Sequence, residues 1–264
     1  MSRPPPAPLH GVTATQDYFA PARALAERLA LPLLPTPPDP PGLYLLHDHR
    51  GLALCQAGRN APGPVRVALE EGRQGSRLQR ASIRREALAR ACGLRADTPL
   101  HVVDATAGLG RDGLLLAILG AHVTLLERHP VIAALLEDGL KRIGATHPEL
   151  AGRLQWQETD SMDWLAGHPD GPPPQVICLD PMYPAGSTRG AVRKDLQSLR
   201  DLGDWPGLIP VDECVLLERA LHTASQRVVV KRPGRAAPLA GLHPDWQIPG
   251  RSTRFDVYRG QGAR

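Results

Sequence analysis

The stretch His101-Val-Val-Asp104-Ala-Thr-Ala-Gly108-Leu-Gly110-Arg111-Asp112-Gly113 decides how this chain folds. It is a short apolar strand, a carboxylate at the strand's end, and a G-x-G-x-x-G loop opening a helix. Glycines there let the backbone approach a ligand closely, and the following helix N-terminus offers free N–H groups. The same pattern also makes a tight strand-to-helix turn with no ligand at all, so it fixes architecture before chemistry.

Strand and helix alternate outward from this loop. Strands are expected at 100–104, 122–126, 154–157, 176–179 and 227–230, and helices near 111–119, 131–143, 161–165 and 212–224. Short apolar strands separated by helices imply a mostly parallel sheet covered on both faces. Residues 251–260, with Phe255 and Val257 facing one way, read as an extra edge strand, antiparallel to the rest. Upstream, 1–41 is a proline-rich segment with a disordered tip, one helix over 17–31 and an extended linker. Residues 42–95 form a small β-rich, basic N-terminal domain, with a hairpin over 43–56, a third strand over 65–69 and a helix over 82–92 stopped by Gly93. The large domain is 96–264.

The 264-residue chain is 42% hydrophobic, which suffices for a real core, and only 4% aromatic. No apolar run approaches the ~18 residues of a membrane span, and no secretory pattern is visible, so a cytoplasmic protein is expected. Cys55, Cys92, Cys178 and Cys214 form no C-x-x-C pair; they read as buried free thiols, and no metal is expected. The net charge is +4, but only Lys141, Lys194 and Lys231 among the basic residues are lysine. With 28 prolines, that suggests a compositional bias toward arginine, so clustering says more than the total.

Three strand ends carry carboxylates. Asp104 precedes the glycine loop, where it would repel a pyrophosphate and attract a cationic ligand. S-adenosylmethionine (SAM), with a sulfonium, an ammonium and no phosphate, fits that requirement. Glu127 closes the second strand, where a carboxylate can accept both ribose hydroxyls. Asp160-Ser161 follows the third strand, where a carboxylate can accept from the adenine amine. Asp160 reads equally as the cap of the helix at Ser161. Asp112 suits the positive end of its helix dipole and equally suits the methionine ammonium.

Asp180-Pro181-Met182-Tyr183-Pro184 ends the fourth strand. The exocyclic amine of a base is a poor nucleophile because its lone pair is delocalised into the ring. Asp180 and the Pro181 carbonyl can accept its two N–H bonds and aim the nitrogen at a methyl group. Tyr183 offers a ring for a flipped base. Asp180, Pro181 and Tyr183 are therefore the candidate catalytic residues.

These runs, together with Leu126-Glu-Arg-His-Pro130, Val228-Val-Val-Lys-Arg-Pro233 and Arg254-Phe-Asp-Val-Tyr258, resemble the RsmJ family, the bacterial 16S ribosomal RNA guanine-N2 methyltransferases. The resemblance covers roughly 42–260 and is strongest from 100 onward. It implies an α/β, class I SAM-dependent methyltransferase fold: a Rossmann-like, mostly parallel seven-stranded sheet with a small N-terminal α+β domain. It implies 16S rRNA, or the small ribosomal subunit, as partner and a guanosine near the RNA's 3′ end as target. The family's SAM contacts carry over to Arg111-Asp112, Glu127-Arg128, Asp160-Ser161 and Asp180, which join Asp104, Gly108 and Gly110 as the expected cofactor site. Asp160 stands where the family commonly has serine. The family's glycine-rich basic run is here an arginine run, and its lysine-rich loop after Pro184 is here 185–194.

Residues 73–95 hold seven arginines against one acidic residue, Glu86. They read either as a solvated helical face or as a landing strip for phosphates. Arg77, Arg80, Arg84, Arg85, Arg193, Lys194, Lys231 and Arg232 are the expected RNA contacts. Other amine substrates, namely adenine or a protein amide, remain compatible with the Asp180 motif. So do, more distantly, a nicotinamide-dependent Rossmann enzyme and a non-catalytic RNA-binding protein.

Overall fold

The computed structural model describes residues 7–59, 61–68, 72–167, 172–181, 199, 202, 205–250 and 253–261. The chain divides into two compact units. The first comprises Met1–Val67, His129–Arg142 and Arg189–Leu208; the second comprises Ala68–Arg128, Ile143–Thr188 and Ile209–Arg264.

The second unit is built on seven strands: β4 (His101–Asp104), β5 (His122–Glu127), β6 (Leu154–Glu158), β7 (Val176–Leu179), β8 (Arg227–Pro233), β9 (Trp246–Pro249) and β10 (Thr253–Arg259). Their spatial order is β6-β5-β4-β7-β8-β10-β9. All neighbours from β6 to β8 run parallel; β10 is antiparallel to both β8 and β9. This is the mostly parallel seven-stranded sheet the sequence implied. The central strands are apolar throughout because helices shield both faces; all four residues of β7 are buried. Helix α4 (Arg111–Ile118) follows β4, and α8 (Glu213–Thr223) precedes β8. Leu216, Leu217 and Ala220 of α8 pack on Val103, Ile177, Leu179, Val228 and Val230. Asp212 starts α8 by accepting the N–H groups of Cys214 and Val215. The remaining helices of this unit are α2 (Gly72–Gln79), α3 (Ala87–Cys92), α6 (Pro148–Ala151) and α7 (Ser161–Ala166).

The first unit holds a smaller sheet, β1 (Leu9–Ala14), β2 (Gly42–Asp48) and β3 (Gly51–Ala57), with α1 (Phe19–Arg28). β2 and β3 form the expected hairpin. Much of α5 (Pro130–Thr146) also belongs to this unit. Asp138 accepts the Leu52 N–H at 2.9 Å and the Arg142 Nε at 2.9 Å, and Arg142 donates to the Val67 carbonyl at 2.8 Å. Arg28 bonds Glu137 at 2.7 Å. A side chain at Gly139 would overlap Val67.

Four sequence expectations need correction. The tip read as disordered contains β1, which pairs parallel with β2. The third strand expected over 65–69 reduces to a single bridge, Val65 with Leu54. Pro62 and Pro64 beside it cannot donate to a ladder. The helix expected over 82–92 is helical only from Ala87, with turns before it; Gly93 does stop it, at φ 73°. The strand near the C-terminus is not the edge, since β9 lies outside it. Of the four thiols, Cys55, Cys92 and Cys178 are buried as expected, but Cys214 is exposed.

Candidate active site

Parallel register brings the chemistry to one rim. Asp104 lies level with Leu125 and Cys178, and Leu179 lies level with Val230. The carboxyl ends of β4, β5, β7 and β8 therefore deliver Asp104, Glu127, Asp180 and Lys231 side by side, where ligands bind in open α/β sheets.

The glycine loop is held from two sides. Ala105 donates to the Cys178 carbonyl at 3.0 Å and Ala107 to the Leu126 carbonyl at 3.0 Å. Gly108 (φ 55°) and Gly110 (φ 69°) adopt the left-handed conformation glycine tolerates best. No atom stands within 4 Å of where a Gly108 side chain would be, so the loop's outer face is open. A Gly113 side chain would overlap Leu125, so that glycine serves packing of α4 on β5. Glu127 accepts the Gly108 N–H at 2.8 Å. Thr106 accepts the Asp180 N–H at 2.6 Å while its own N–H reaches Asp104 at 3.3 Å. Thr106 thus ties the loop to the Asp180 motif, a role no sequence signal announced.

Asp160 and Arg128 meet at 3.1 Å, and Arg128 also donates to the Ile209 carbonyl at 2.7 Å. The other Asp160 oxygen accepts the Met162 N–H at 2.8 Å, so it does cap α7. Each carboxylate oxygen still has a lone pair to offer a ligand amine. Ser161 is buried beneath it, and Arg111 begins α4.

Asp112 receives Lys231 Nζ at 2.7 Å and stands 3.5 Å from Arg77, which also binds Glu86 at 2.7 Å. The same Nζ reaches Asp180 at 2.7 Å. The arrangement departs from the expected RNA contacts. Lys231 and Arg77 are committed to carboxylates of the cofactor rim, and Arg232 is buried and donates to the Ala237 carbonyl at 2.9 Å. Arg80, Arg84 and Arg85 are exposed. Tyr183, Arg193 and Lys194 lie outside the described residues. The register that puts Lys231 beside Asp180 was the available clue: each is the residue after a paired position, Val230 with Leu179.

Three carboxylates, Asp104, Asp112 and Asp180, thus crowd two cations. Burial, then the Asp112 charge, pushes Asp104 up to about 7. Asp180, though 45% exposed, is also raised, by desolvation and by Asp112 against the pull of Lys231. At Asp112 burial works upward, but Lys231 and then Arg77 hold the carboxyl below its usual range. Burial disfavours charge on Lys231, yet Asp112 and Asp180 more than offset it and raise its pKa. A raised Asp104 binds its proton more tightly folded than unfolded. Its contribution to stability therefore falls as pH rises from about 4 to about 7 and is level above that. A cation placed here favours the ionised form and expels that proton. Donor binding at pH near 7 should release protons, read by calorimetry in buffers of differing ionisation heat; Asp104→Asn should abolish the release.

The donor set thus fits SAM: an open glycine cradle, a free edge on Glu127 for ribose, Asp160 at the adenine end, and an acidic cluster for a cationic methionine. Fold and rim together define a class I SAM-dependent methyltransferase. The family model described as "Putative SAM-dependent methyltransferase" matches residues 24–260. Ribosomal RNA small subunit methyltransferase J of Alkalilimnicola ehrlichii is 67% identical over 96% of this chain and 96% of its own. The protein of that name from Thioalkalivibrio sulfidiphilus is 48% identical, over 93% and 95%. The crystal structure of a SAM-dependent methyltransferase from Neisseria gonorrhoeae is 32% identical with a TM-score of 0.73, covering 96% of this chain and 97% of that one. The chain belongs to the ribosomal RNA small subunit methyltransferase J family. Among the described residues no helix is long and apolar enough to cross a membrane, and no group of three or more metal-ligating side chains occurs.

Proposed function

We propose that this protein transfers a methyl group from SAM to the exocyclic N2 amine of one guanosine near the 3′ end of 16S rRNA, in the cytoplasm. The observation that carries this reading is the placement of Asp180 on the same rim as the glycine loop, its backbone fixed by Thr106 at 2.6 Å. The names of the relatives support the choice of RNA. A dinucleotide is disfavoured because a pyrophosphate at the loop would face Asp104 and Asp112.

Arg111, Asp112, Glu127, Arg128, Asp160 and Ser161 hold the donor. Glu127 keeps one oxygen on Gly108, so the ribose hydroxyls meet a carboxylate already oriented. When bound, the donor supplies an electrophilic methyl on a sulfonium that leaves without protonation. The protein's task is positioning, which can supply several kcal/mol. Asp180 and the Pro181 carbonyl accept the two amine N–H bonds and point the nitrogen lone pair outward. Asp180 then takes the proton the product amine sheds. Tyr183 is the ring for the extruded base.

Arg80, Arg84 and Arg85 face solvent on the second unit and suit phosphate contact. The test is transfer from tritiated SAM to 16S rRNA in undermethylated small subunits, with the nucleoside identified by mass. N2-methylguanosine is expected; methyladenosine, or no transfer, overturns the reading. In the same assay Arg84→Glu with Arg85→Glu should weaken RNA binding at least tenfold, flatten its salt dependence by about one to two phosphate contacts, and leave SAM affinity unchanged.

A further inference from the structure

Lys231 is the one member of the rim for which phosphate contact was expected and carboxylate contact is found. Its Nζ lies 2.7 Å from Asp112 Oδ2 and 2.7 Å from Asp180 Oδ2, which joins the glycine-loop helix to the Asp180 motif through one ammonium. We propose that Lys231 is a positioning residue for methyl transfer, one that clamps Asp180 between its ammonium and the Thr106 hydroxyl so that the remaining carboxylate oxygen faces the substrate amine. The proposal rests on Asp180 as the amine acceptor.

The geometry gives Asp180 two anchors. Its backbone N–H is fixed to Thr106 Oγ1 at 2.6 Å and its Oδ2 to Lys231 at 2.7 Å, leaving Oδ1 without a printed bond inside a site only partly open. A carboxylate free to rotate would present either oxygen at any angle; one held at Oδ2 presents Oδ1 in a fixed direction. The charge balance points the same way. Asp104 from β4, Asp112 from α4 and Asp180 after β7 face Lys231 from β8 and Arg77 from α2, with Glu86 drawing on Arg77 and the neutral thiols of Cys178 and Cys92 behind. Removing Lys231 leaves Asp180 beside Asp112 with no cation of its own, and a protonated Asp180 is a poor acceptor for an amine proton. A lysine suits this post because a compact ammonium with three donors can serve two carboxylates at once, which a planar guanidinium does less well. Strand β8 supplies the rigidity: Lys231 is paired with Phe255 on β10, and Val230 with Leu179 on β7.

The test compares wild type, Lys231→Met and Lys231→Arg. With 13C-labelled aspartate in the protein without donor, the Asp180 carboxyl is assigned from its loss in Asp180→Asn and titrated by NMR. Lys231→Met should raise its midpoint by about one unit or more, as loss of an adjacent opposite charge does. The acid limb of kcat against pH should move by the same amount, so turnover at neutral pH falls about tenfold or more and recovers as pH rises. Lys231→Arg keeps the charge; its acid limb should stay in place while kcat falls at every pH. That variant carries the test if Lys231→Met fails to fold. An unmoved Asp180 titration in Lys231→Met, full turnover in Lys231→Arg, or a loss confined to RNA affinity and its salt dependence overturns the proposal. If Asp180→Ala itself keeps turnover, the acceptor reading is what fails. If Asp180→Ala is inactive and the titration does not move, Lys231 alone has been misassigned.

Discussion

Asp180→Ala should lose turnover by about 10²–10⁴-fold, the range associated with a group that handles the proton and orients the nucleophile. RNA affinity should hold, because the exposed arginines at 80, 84 and 85 stand elsewhere on the unit. The physical reason lies in the amine. Its lone pair must be withdrawn from the ring before it can attack, and only an acceptor aligned with its N–H bonds does that. Asp180 is tied at its backbone to Thr106 and at its side chain to Lys231, so the acceptor is preorganised. Alanine removes the acceptor and leaves Lys231 to Asp112 alone. Single-turnover transfer from tritiated SAM to undermethylated small subunits, alongside filter binding of the RNA, separates the two effects. Turnover within about tenfold of wild type, a cost near 1.4 kcal/mol, would remove Asp180 from the centre of the reaction.

The second large effect concerns the strands that carry Lys231. Asp256 on β10 is fully buried. Arg254, two residues earlier on the same strand face, grips it through Nε at 2.7 Å and Nη2 at 3.0 Å, and Gln247 on β9 adds a third bond at 2.8 Å. Arg254 also closes the end of β8 through the carbonyls of Pro233 at 3.1 Å and Gly234 at 3.0 Å. Arg254→Met strands a carboxylate in the interior and should cost about 3–5 kcal/mol. For a chain of this size that lowers Tm by about 10 °C or more. Arg254→Met with Asp256→Leu should recover most of the loss, since exchanging a buried pair for apolar groups is close to neutral. Calorimetric melting of both variants decides it; an equal Tm for single mutant and wild type would show that the pair is idle.

The fold was legible where burial dictates sequence. β4, β5, β7 and β8 are shielded on both faces, so they read as continuous apolar runs between helices. β1 escaped because its residues, Leu-His-Gly-Val-Thr-Ala, alternate weakly and follow prolines. β9 escaped because a four-residue, half-exposed edge has little pattern to show. Helix α2 was hidden by two glycines and polar neighbours, whose propensity argues against helix. The carboxylates at strand ends could be found from spacing alone, since a strand's end is where a parallel sheet presents side chains to a ligand. The partners of those carboxylates could not. Lys231 and Arg77 look like any other basic residue until strand register and the return of α2 toward α4 bring them to Asp112. Thr106 gives no signal at all beyond its place in the loop.

The hairpin of the first unit leans on residues far along the chain: Asp138 receives the Leu52 amide, Arg142 the Val67 carbonyl, and Glu137 the Arg28 guanidinium. A fragment ending near Val67 would keep its three strands and lose every one of those partners. The leading 67 residues are therefore no interchangeable cassette. Recombination between relatives has to carry both stretches across together, or the chimera inherits a hairpin without its clasp.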